Sequence, residues 1–269
     1  MISVIVSFYE RLSHLKCCLD ALSLCSNDFD EVVIADDGSN EEVVRSLEEY
    51  ISKYDFEIRH VWQEKRGFRL AASRNNGIRE ARGDYLIFLD CDLVVLHDTI
   101  KCHLKAARPK RFLAGNCKYL TEIQTNTVFR NKISPDLLDT LYRKLPEENI
   151  IRDHRKFIKH VILSTLYLRS KKKQTLGGHF SIHREDIENV NGFDENFIGW
   201  GGEDENLGIR LVTAGSRGRS VIRKARCLHL WHSKEIGDKG WKEGPNIGYF
   251  KRSHIPFYCE NGLNQKVRT

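Results

Sequence analysis

The chain lacks any long apolar run, and no stretch of it approaches the roughly 20 residues that a helix needs to cross a bilayer. It also lacks the marks of a secretion leader, because Met1 is followed at once by a β-branched run at 2–6 that is typical of a core strand. No internal repeat or low-complexity tract interrupts the 269 residues. These absences argue against a membrane-spanning or secreted protein, and we expect a cytoplasmic location.

The eight cysteines lack the spacing of a metal site or a redox site. No two of them form a C-x-x-C pair, and no set has the spacing of zinc ligands. In an intracellular chain this pattern also argues against a disulfide framework. We therefore predict reduced, mostly buried thiols at Cys17, Cys18, Cys25, Cys91, Cys102, Cys117, Cys227 and Cys259.

Positive charge is in modest excess. The net charge is +6. Charged residues make up 30% of the chain and hydrophobic residues 41%, a composition that is typical of a globular protein rather than a disordered one. The basic residues at 152–173 indicate either a solvated helix face or a patch for an anionic membrane surface or a diphosphate-linked lipid. No nucleic-acid-binding module is recognised, so we expect no nucleic-acid partner. The basic residues are Arg152, Arg155, Lys156, Lys159, Arg169, Lys171, Lys172 and Lys173.

Strand-like and helix-like patterns alternate at the start of the chain. The predicted strands are 2–7, 31–35, 56–62 and 85–89, and the predicted helices are 12–24, 43–50 and 71–81. Ser39 or Asn40 can cap the second helix. Repeated strand–helix units imply right-handed crossovers, and therefore an α/β fold with a mostly parallel central sheet flanked by helices.

Polar residues follow three of the predicted strands. In sheets of this kind ligands bind outside the carboxyl ends of the strands. Residues 7–9, 36–37 and 90–92 all lie at such ends. We therefore expect them to line one shared cleft.

The run Asp-Cys-Asp at 90–92 ends the buried strand at 85–89. Two aspartates spaced by one residue at a strand end suit a hard divalent cation that also holds phosphate oxygens. Mg²⁺ and Mn²⁺ take one or two carboxylates and leave other positions for water and substrate. An acidic loop end without a metal is the alternative, because this spacing also arises by chance.

A second acidic cluster lies in the sequence Trp-Gly-Gly-Glu-Asp-Glu-Asn at 200–206. The glycines let the backbone approach a sugar closely. A carboxylate held there can act as general base on an acceptor hydroxyl, with a proton affinity raised by its acidic neighbours. The start of a helix also explains the acids, but it leaves Trp-Gly-Gly unexplained. Both interpretations can hold together.

The order of five motifs resembles that of glycosyltransferases with the Rossmann-like GT-A fold. The motifs are Asp-Asp-Gly-Ser at 36–39, Asp-Cys-Asp at 90–92, Gly-Gly at 177–178, Asn-Gly-Phe-Asp at 191–194 and Trp-Gly-Gly-Glu-Asp at 200–204. Within this group the chain resembles family two. Its carboxyl-terminal half is similar to the β-galactosyltransferases, the chondroitin-type polymerases and the polypeptide N-acetylgalactosaminyltransferases. The resemblance covers roughly residues 1–232.

The resemblance implies a single GT-A domain with a tail. The expected parts are a domain at 1–240, its nucleotide-binding half at 1–97, and its acceptor and catalytic half at 175–235. The residues at 241–269 form a tail whose composition indicates loop or a partly ordered segment. Residues 121–174 are not covered by the resemblance, and the spacing of their leucines and isoleucines predicts a helical insertion.

The resemblance also implies a role for each matching residue. Asp204 is the expected catalytic base, with Glu203 beside it contacting donor or acceptor. Asp92 is the expected metal ligand, and Asp90 is expected to reach the donor's ribose or sugar. The other expected donor-site residues are Ser7, Phe8, Tyr9, Arg11, Asp36, Asp37, Arg66, Gly67, Arg74, Gly178, Trp200 and Gly202.

A late histidine that binds the metal is a further feature of the family. His232 fits this role better than His229, because His-Ser followed by a basic and then an acidic residue fits the galactosyltransferase pattern. His229 stays the alternative. An imidazole ligand would favour Mn²⁺ over Mg²⁺.

Together these residues imply a metal-dependent inverting glycosyltransferase. We expect it to move a hexose or N-acetylhexosamine from a nucleotide sugar, a UDP-sugar by preference, to a hydroxyl of a surface polysaccharide or lipid-linked oligosaccharide. A protein acceptor is one alternative, and a non-catalytic nucleotide-sugar-binding module is another, which the two intact carboxylate clusters argue against. The basic segment adds the expectation of peripheral association with the inner face of the plasma membrane.

Overall fold

The computed structural model describes residues 1–166, 176, 178–233 and 243–264. Its first part alternates strands and helices, as the sequence predicts. The strands are β1 (Ile2–Phe8), β2 (Glu31–Asp36), β3 (Glu57–Trp62) and β4 (Tyr85–Asp90), and the helices between them are α1 (Leu12–Ser23), α2 (Glu41–Ile51) and α3 (Leu70–Glu80). Asn40 caps α2, because its side-chain oxygen accepts a hydrogen bond of 3.0 Å from Val43 N.

The rest of the described chain adds six strands and seven helices. In chain order these are β5 (Leu93–Val95), α4 (Thr99–Ala106), β6 (Arg111–Ala114), β7 (Lys118–Tyr119), α5 (Glu122–Arg130), α6 (Pro135–Lys144), α7 (Glu148–Thr165), β8 (Phe180–His183), α8 (Arg184–Glu188), α9 (Glu203–Thr213), β9 (Arg217–Ser220), β10 (Cys227–His229) and α10 (Ile247–Phe250). Helices α5, α6 and α7 fall where a helical insertion is expected. The division of the chain into functional halves stays a prediction.

The central sheet has seven strands in the order β3-β2-β1-β4-β8-β6-β9. The first four are parallel, β8 is antiparallel to both of its neighbours, and β9 is parallel to β6. A smaller sheet has the order β5-β10-β7. The expected α/β fold with a mostly parallel central sheet is confirmed, and the carboxyl ends of β1, β2 and β4 meet at one edge of it.

Alternate residues of the central strands enter two cores on opposite faces of the sheet. In β1, Val4 and Val6 belong to the core that includes Leu15 of α1, whereas Ile5 belongs to the core that includes Ile78 of α3. All of these side chains are nearly inaccessible to solvent. Because a slip of one residue would reverse the two faces, this burial fixes the register of the strands and with it the position of the strand ends.

Two expectations that rest on missing sequence features can be compared with the structure. Among the described residues, no helix combines the length and the apolar character that crossing a bilayer requires. All eight cysteines are free thiols, and all but the half-buried Cys102 are buried. Burial raises the pKa of Cys17 to about 12, so this thiol stays protonated and unreactive at neutral pH.

Candidate active site

Asp92 lies between β4 and β5, at the carboxyl edge of the central sheet. Strand β5 pairs with β10 so that Leu93 lies opposite His229, and Leu230 N donates a hydrogen bond of 2.9 Å to Asp92 O. This pairing brings two histidines to one carboxylate. The Nε2 atoms of His229 and His232 lie 3.6 Å and 3.2 Å from the Asp92 oxygens, and the three candidate ligand atoms lie within 4.8 Å of one another.

This cluster fits a divalent cation. Asp92 is 7% exposed, and its buried Oδ1 accepts no hydrogen bond from the described residues. Such an oxygen is costly to bury without a partner, and a cation would satisfy it. Burial alone would raise the pKa of Asp92, but the hydrogen bond from His232 and the charges of His229 and Arg11 lower it. One carboxylate with two imidazoles suits Mn²⁺ better than Mg²⁺.

Two residues outside every recognised motif hold the backbone of Trp231, which lies between these histidines in the sequence. Trp231 N donates a hydrogen bond of 2.8 Å to Thr125 Oγ1 of α5, and His14 Nε2 of α1 lies 3.1 Å from Trp231 O. Both polar groups of the Trp231 backbone are therefore fixed by helices from other parts of the chain. No motif marks His14 or Thr125, because each is a single polar residue on a helix.

Arg74 joins the second acidic cluster to the first. Its side chain is only 5% exposed, and it donates hydrogen bonds of 2.9 Å to Asp90 Oδ1 and 2.7 Å to Asp204 Oδ1. Its Nε donates a third bond, of 3.1 Å, to Ser7 Oγ. Burial would lower the pKa of Arg74, but the charges of Asp204 and Asp90 outweigh burial and raise it. The ends of β1 and β4 and the start of α9 thus meet at one guanidinium.

Helix α9 begins at Glu203, so the predicted helix start is confirmed. Gly201 and Gly202, just before it, have φ values of 97° and 98°, which glycine adopts without strain. The Asp204 side chain is 30% exposed, whereas Glu203 as a residue is 6% exposed. Burial and the charge of Asp204 raise the pKa of Glu203 to about 7. The acid with the raised proton affinity is therefore Glu203, and Asp204 is the one open to solvent.

The carboxylates at the end of β2 shape the turn that follows it. Asp36 is buried, accepts hydrogen bonds of 2.8 Å and 2.7 Å from the backbone and hydroxyl of Ser39, and lies 3.0 Å from His60 Nε2. Asp37 accepts a bond of 2.6 Å from Gln63 Nε2. These contacts give both acids a structural task. Their direct contact with a nucleobase or ribose stays a prediction.

Tyr9 and Arg11 follow β1, and Lys65 follows β3. The Lys65 ammonium lies 3.3 Å from the centroid of the Tyr9 ring, a cation–π contact. Arg11 Nη1 lies 3.6 Å from Asp92 Oδ2, beside the candidate metal cluster. Lys65 was missed from the sequence, because no motif distinguishes it from other surface lysines. Tyr9 and Arg11 were expected at a donor site.

Three other expected donor-site residues are occupied by the core or by neighbours in sequence. Phe8 is 3% exposed and packs in the core. Arg66 is exposed and pairs with Glu64 at 2.5 Å, and Gly67 beside it has a φ of 83°. Their contact with a donor stays a prediction.

Gly178 lies close to Cys117, the residue that precedes β7. A side chain at this position would lie 3.6 Å from Cys117 Sγ. Gly177, of the same motif, is outside the described residues. The neighbouring His179 is buried, and its Nδ1 lies 2.9 Å from His103 Nε2. Burial lowers the pKa of His179 to about 4, so this imidazole is neutral and structural.

Two family models match the sequence. The model described as Glycosyl transferase family 2 matches residues 3–165, which is more than half of the chain. The model described as the N-terminal domain of galactosyltransferase matches residues 158–233. The second match includes the residues at 200–204 and both histidines of the candidate metal cluster.

Curated relatives are similar over about four fifths of the chain. Validoxylamine A glucosyltransferase from Streptomyces hygroscopicus subsp. jinggangensis is 30% identical over 228 residues, which cover 80% of this chain and 52% of that protein. Chondroitin synthase from Escherichia coli is 30% identical over 233 residues, which cover 82% of this chain and 33% of that protein. The chain spans about half the length of the first relative and a third of the second.

Solved structures share the fold. The structure of S. aureus TarS 1–349 in complex with UDP-GlcNAc has a TM-score of 0.56 at 16% identity, covering 87% of this chain and 59% of that one. The structure of GalNAc-T7 with UDP, GalNAc and Mn²⁺ has a TM-score of 0.60 at 17% identity, covering 87% and 44%. Identities this low show the fold alone, and the expected GT-A fold is confirmed. With a family model matched over more than half of its length, the chain belongs to glycosyl transferase family 2.

Proposed function

We propose that the chain is a metal-dependent inverting glycosyltransferase that transfers a hexose or N-acetylhexosamine from a UDP-sugar to a hydroxyl of a surface polysaccharide or lipid-linked oligosaccharide. One observation carries the proposal. The guanidinium of Arg74 binds both Asp204 and Asp90, and Asp90 is two residues from Asp92 of the metal cluster. The proposed base and the proposed metal ligand therefore belong to one cleft.

The donor and the cation are inferred from the site together with similar structures. Asp92, His229 and His232 would hold Mn²⁺. When bound, the cation would offset the charge that develops on a departing diphosphate. Similar structures contain UDP-GlcNAc in one case and UDP, GalNAc and Mn²⁺ in another. A chondroitin synthase among the relatives supports a glycan acceptor.

Asp204 would carry the proton transfer. The acceptor hydroxyl donates its proton to the Asp204 carboxylate as its oxygen forms a bond to the anomeric carbon. The bond from that carbon to the diphosphate breaks on the opposite face of the sugar, so the configuration inverts. Arg74 orients the carboxylate through the hydrogen bond of 2.7 Å. Trp200, 39% exposed, offers an apolar face to the sugar ring.

The test is a panel of nucleotide sugars assayed for release of the nucleoside diphosphate, with and without Mn²⁺ and with oligosaccharide or peptide acceptors. We expect Mn²⁺-dependent turnover of a UDP-sugar, its loss in Asp92→Ala, and a fall of about 10²–10⁴-fold in Asp204→Asn. Glu205→Gln is the matched control, because it removes another charge from the same helical turn. Full turnover by Asp204→Asn would refute the assigned base.

The same assay separates the alternatives. Slow Mn²⁺-dependent hydrolysis of the donor without acceptor would identify an enzyme, whereas donor binding without any turnover would indicate a binding module. A peptide acceptor that outperforms every oligosaccharide would favour a protein substrate.

We also propose that α7 attaches the protein to an anionic membrane surface. Ile158, Ile162 and Leu166 lie at helical spacing along one side of this segment and are 38%, 51% and 58% exposed. Arg155 and Lys159 line the same shallow groove, of about 400 Å³, as Ile158 and Ile162. An exposed apolar stripe beside cations is the pattern of a helix that lies in a lipid interface. Arg169 and Lys171–Lys173 are outside the described residues.

Flotation with phosphatidylcholine vesicles, with and without phosphatidylglycerol, tests this attachment. We expect the protein to float only with the anionic vesicles and Ile162→Glu to lose this binding. Ile123→Glu on α5 is the matched control, because Ile123 is 80% exposed and lies on another helix. If the wild-type protein does not bind the anionic vesicles, or if Ile162→Glu and Ile123→Glu bind them equally, α7 is a solvated helix face instead.

A further inference from the structure

The loop that carries Trp200 is held by a residue near the carboxyl end of the described chain. Asn246 Nδ2 donates hydrogen bonds of 3.0 Å to both Gly199 O and Gly201 O. These two carbonyls belong to the residues on either side of Trp200. Asn246 is 4% exposed, the bond to Gly201 O is buried, and the bond to Gly199 O is partly buried. A single buried amide group therefore fixes the backbone before and after the indole.

The loop has few other features that would fix its shape. Gly199, Gly201 and Gly202 all have positive φ values, of 85°, 97° and 98°. Glycine reaches such conformations freely, and the same freedom makes the loop costly to order. Trp200 itself is 39% exposed, so core packing does not hold its ring. Gly199 N donates a hydrogen bond of 2.8 Å to Phe68 O, which anchors only the first end of the loop.

Asn246 is itself held firmly. It precedes α10 but does not cap this helix with its side chain, although asparagine at that position commonly does so. Its amide bonds to the Trp200 loop instead. Helix α10 is fixed by Phe250, which packs in a small core with Phe197, and by Tyr249, whose hydroxyl donates a hydrogen bond of 2.8 Å to Asp194 Oδ2.

We propose that Asn246 is a positioning residue that holds Trp200 in place against the transferred or accepting sugar. The sugar part of this inference rests on the proposed function, whereas the fixing of the loop rests on the two hydrogen bonds alone. A shift of about 1 Å in a group that positions a substrate can cost about 10²-fold in rate. Loss of the two amide donors should therefore impair turnover while leaving the metal cluster intact.

The first test follows Trp200 directly, without any assay of activity. The chain has four tryptophans. Labelling with 5-fluorotryptophan gives each a fluorine resonance, and Trp200→Phe identifies the one from Trp200. Asn246→Asp keeps the size of the side chain but replaces its donors with an oxygen that repels both carbonyls. We expect the Trp200 resonance to shift or broaden in Asn246→Asp and in Asn246→Ala, with the Trp62 and Trp231 resonances unchanged.

Asn264→Asp is the matched control, because Asn264 is exposed and bonds to Asn191 through its backbone nitrogen. An unchanged Trp200 resonance in both Asn246 variants would overturn the proposal. The unchanged Trp62 and Trp231 resonances show that each variant is folded, so a general loss of structure cannot imitate the expected result.

The second test measures transfer kinetics and calorimetric binding of UDP with Mn²⁺. We expect kcat/KM of Asn246→Asp to fall by about 10–100-fold, with the affinity for UDP and Mn²⁺ unchanged. A displaced Trp200 with wild-type kinetics would refute the role at the sugar. A wild-type protein that turns over no nucleotide sugar would refute the proposed function, whereas the fluorine spectra would still decide whether Asn246 fixes Trp200.

Discussion

Arg74 and Asp204 lie 130 positions apart in the sequence, yet Arg74 Nη1 donates a hydrogen bond of 2.7 Å to Asp204 Oδ1. The arginine side chain is 5% exposed and the aspartate 30% exposed, so the bond links the protein interior to a carboxylate that solvent can reach. A guanidinium holds several partners in a fixed planar geometry, which an ammonium cannot do. The contact therefore sets the direction of the Asp204 carboxylate.

Arg74→Lys should separate this orientation from charge. Lysine keeps the positive charge but cannot bind Asp90, Asp204 and Ser7 with the same geometry. We expect kcat to fall by about 10²-fold. Leaving a buried charge unpaired costs about 3–5 kcal/mol, and because lysine keeps the positive charge we expect the free energy of unfolding to fall by less than this. Steady-state kinetics and urea unfolding of the same preparations measure both quantities.

The matched control is Arg82→Lys. Arg82 also pairs with a buried carboxylate, because its Nε lies 3.5 Å from Glu31 Oε2, but this pair lies at the amino ends of the central strands. We expect kcat to be unaffected in this variant. An equal loss of kcat in the two variants would show that Arg74 acts through stability rather than orientation.

Glu203 should make the stability of the protein fall as the pH rises. Its pKa of about 7 lies above the ordinary 4.5, so between these pH values Glu203 keeps a proton in the folded protein that it has already lost in the unfolded chain. The contribution of protonated Glu203 to the free energy of unfolding is fully present below the ordinary pKa, declines as the pH approaches 7 and is lost above it. At about pH 8 we expect Glu203→Gln to raise the free energy of unfolding by on the order of 1–3 kcal/mol, with little change at about pH 5.

Urea unfolding of both proteins at the two pH values measures this difference. Glu205→Gln is the control, because it removes a charge from the same turn. A stabilisation by Glu203→Gln of equal size at both pH values would contradict the raised pKa, since a pH-independent gain would have to come from packing.

Both histidines of the metal cluster should be needed for metal-dependent donor binding. Sequence comparison favours His232 over His229, but the structure places both within reach of Asp92. Loss of a residue that only hydrogen-bonds to a metal ligand weakens metal affinity by about 10–100-fold. We expect His229→Ala and His232→Ala each to weaken the binding of UDP with Mn²⁺, measured by calorimetry, by more than this. His183→Ala, on β8, is the control. Unchanged binding in either cluster variant would remove that histidine from the site.

The sequence predicts the strand ends of this site well, because local patterns determine them. The apolar run of β4 places Asp90 and Asp92 at a sheet edge, and the glycines before Glu203 mark the start of α9. Both features depend on residues that are neighbours in the chain, so the spacing of apolar residues and the position of glycines in the sequence are enough to predict them.

Contacts between distant parts of the chain could not be predicted in the same way. Arg74 and Asp204, and likewise His14 and the carbonyl of Trp231, are in contact although the sequence around each of them carries no signal of its partner. The tail was expected to be loop or a partly ordered segment. Instead it contains α10, which is held by hydrogen bonds of Asn246 and Tyr249 and by the packing of Phe250 against Phe197. These partners lie about 50 positions earlier in the chain, so the local pattern of the tail does not reveal them.

Asn75 joins α3 to the segment that follows α8. It is fully buried on α3, its Nδ2 donates a hydrogen bond of 2.9 Å to Phe193 O, and its Oδ1 accepts one of 2.9 Å from Phe193 N. Asn75→Ala leaves both backbone groups without these partners, so we expect urea unfolding to show a loss of roughly 2–4 kcal/mol. Asn76→Ala, at the next and partly exposed position, should cost clearly less. Equal losses would mean that helix α3, rather than its bonds to Phe193, determines the effect.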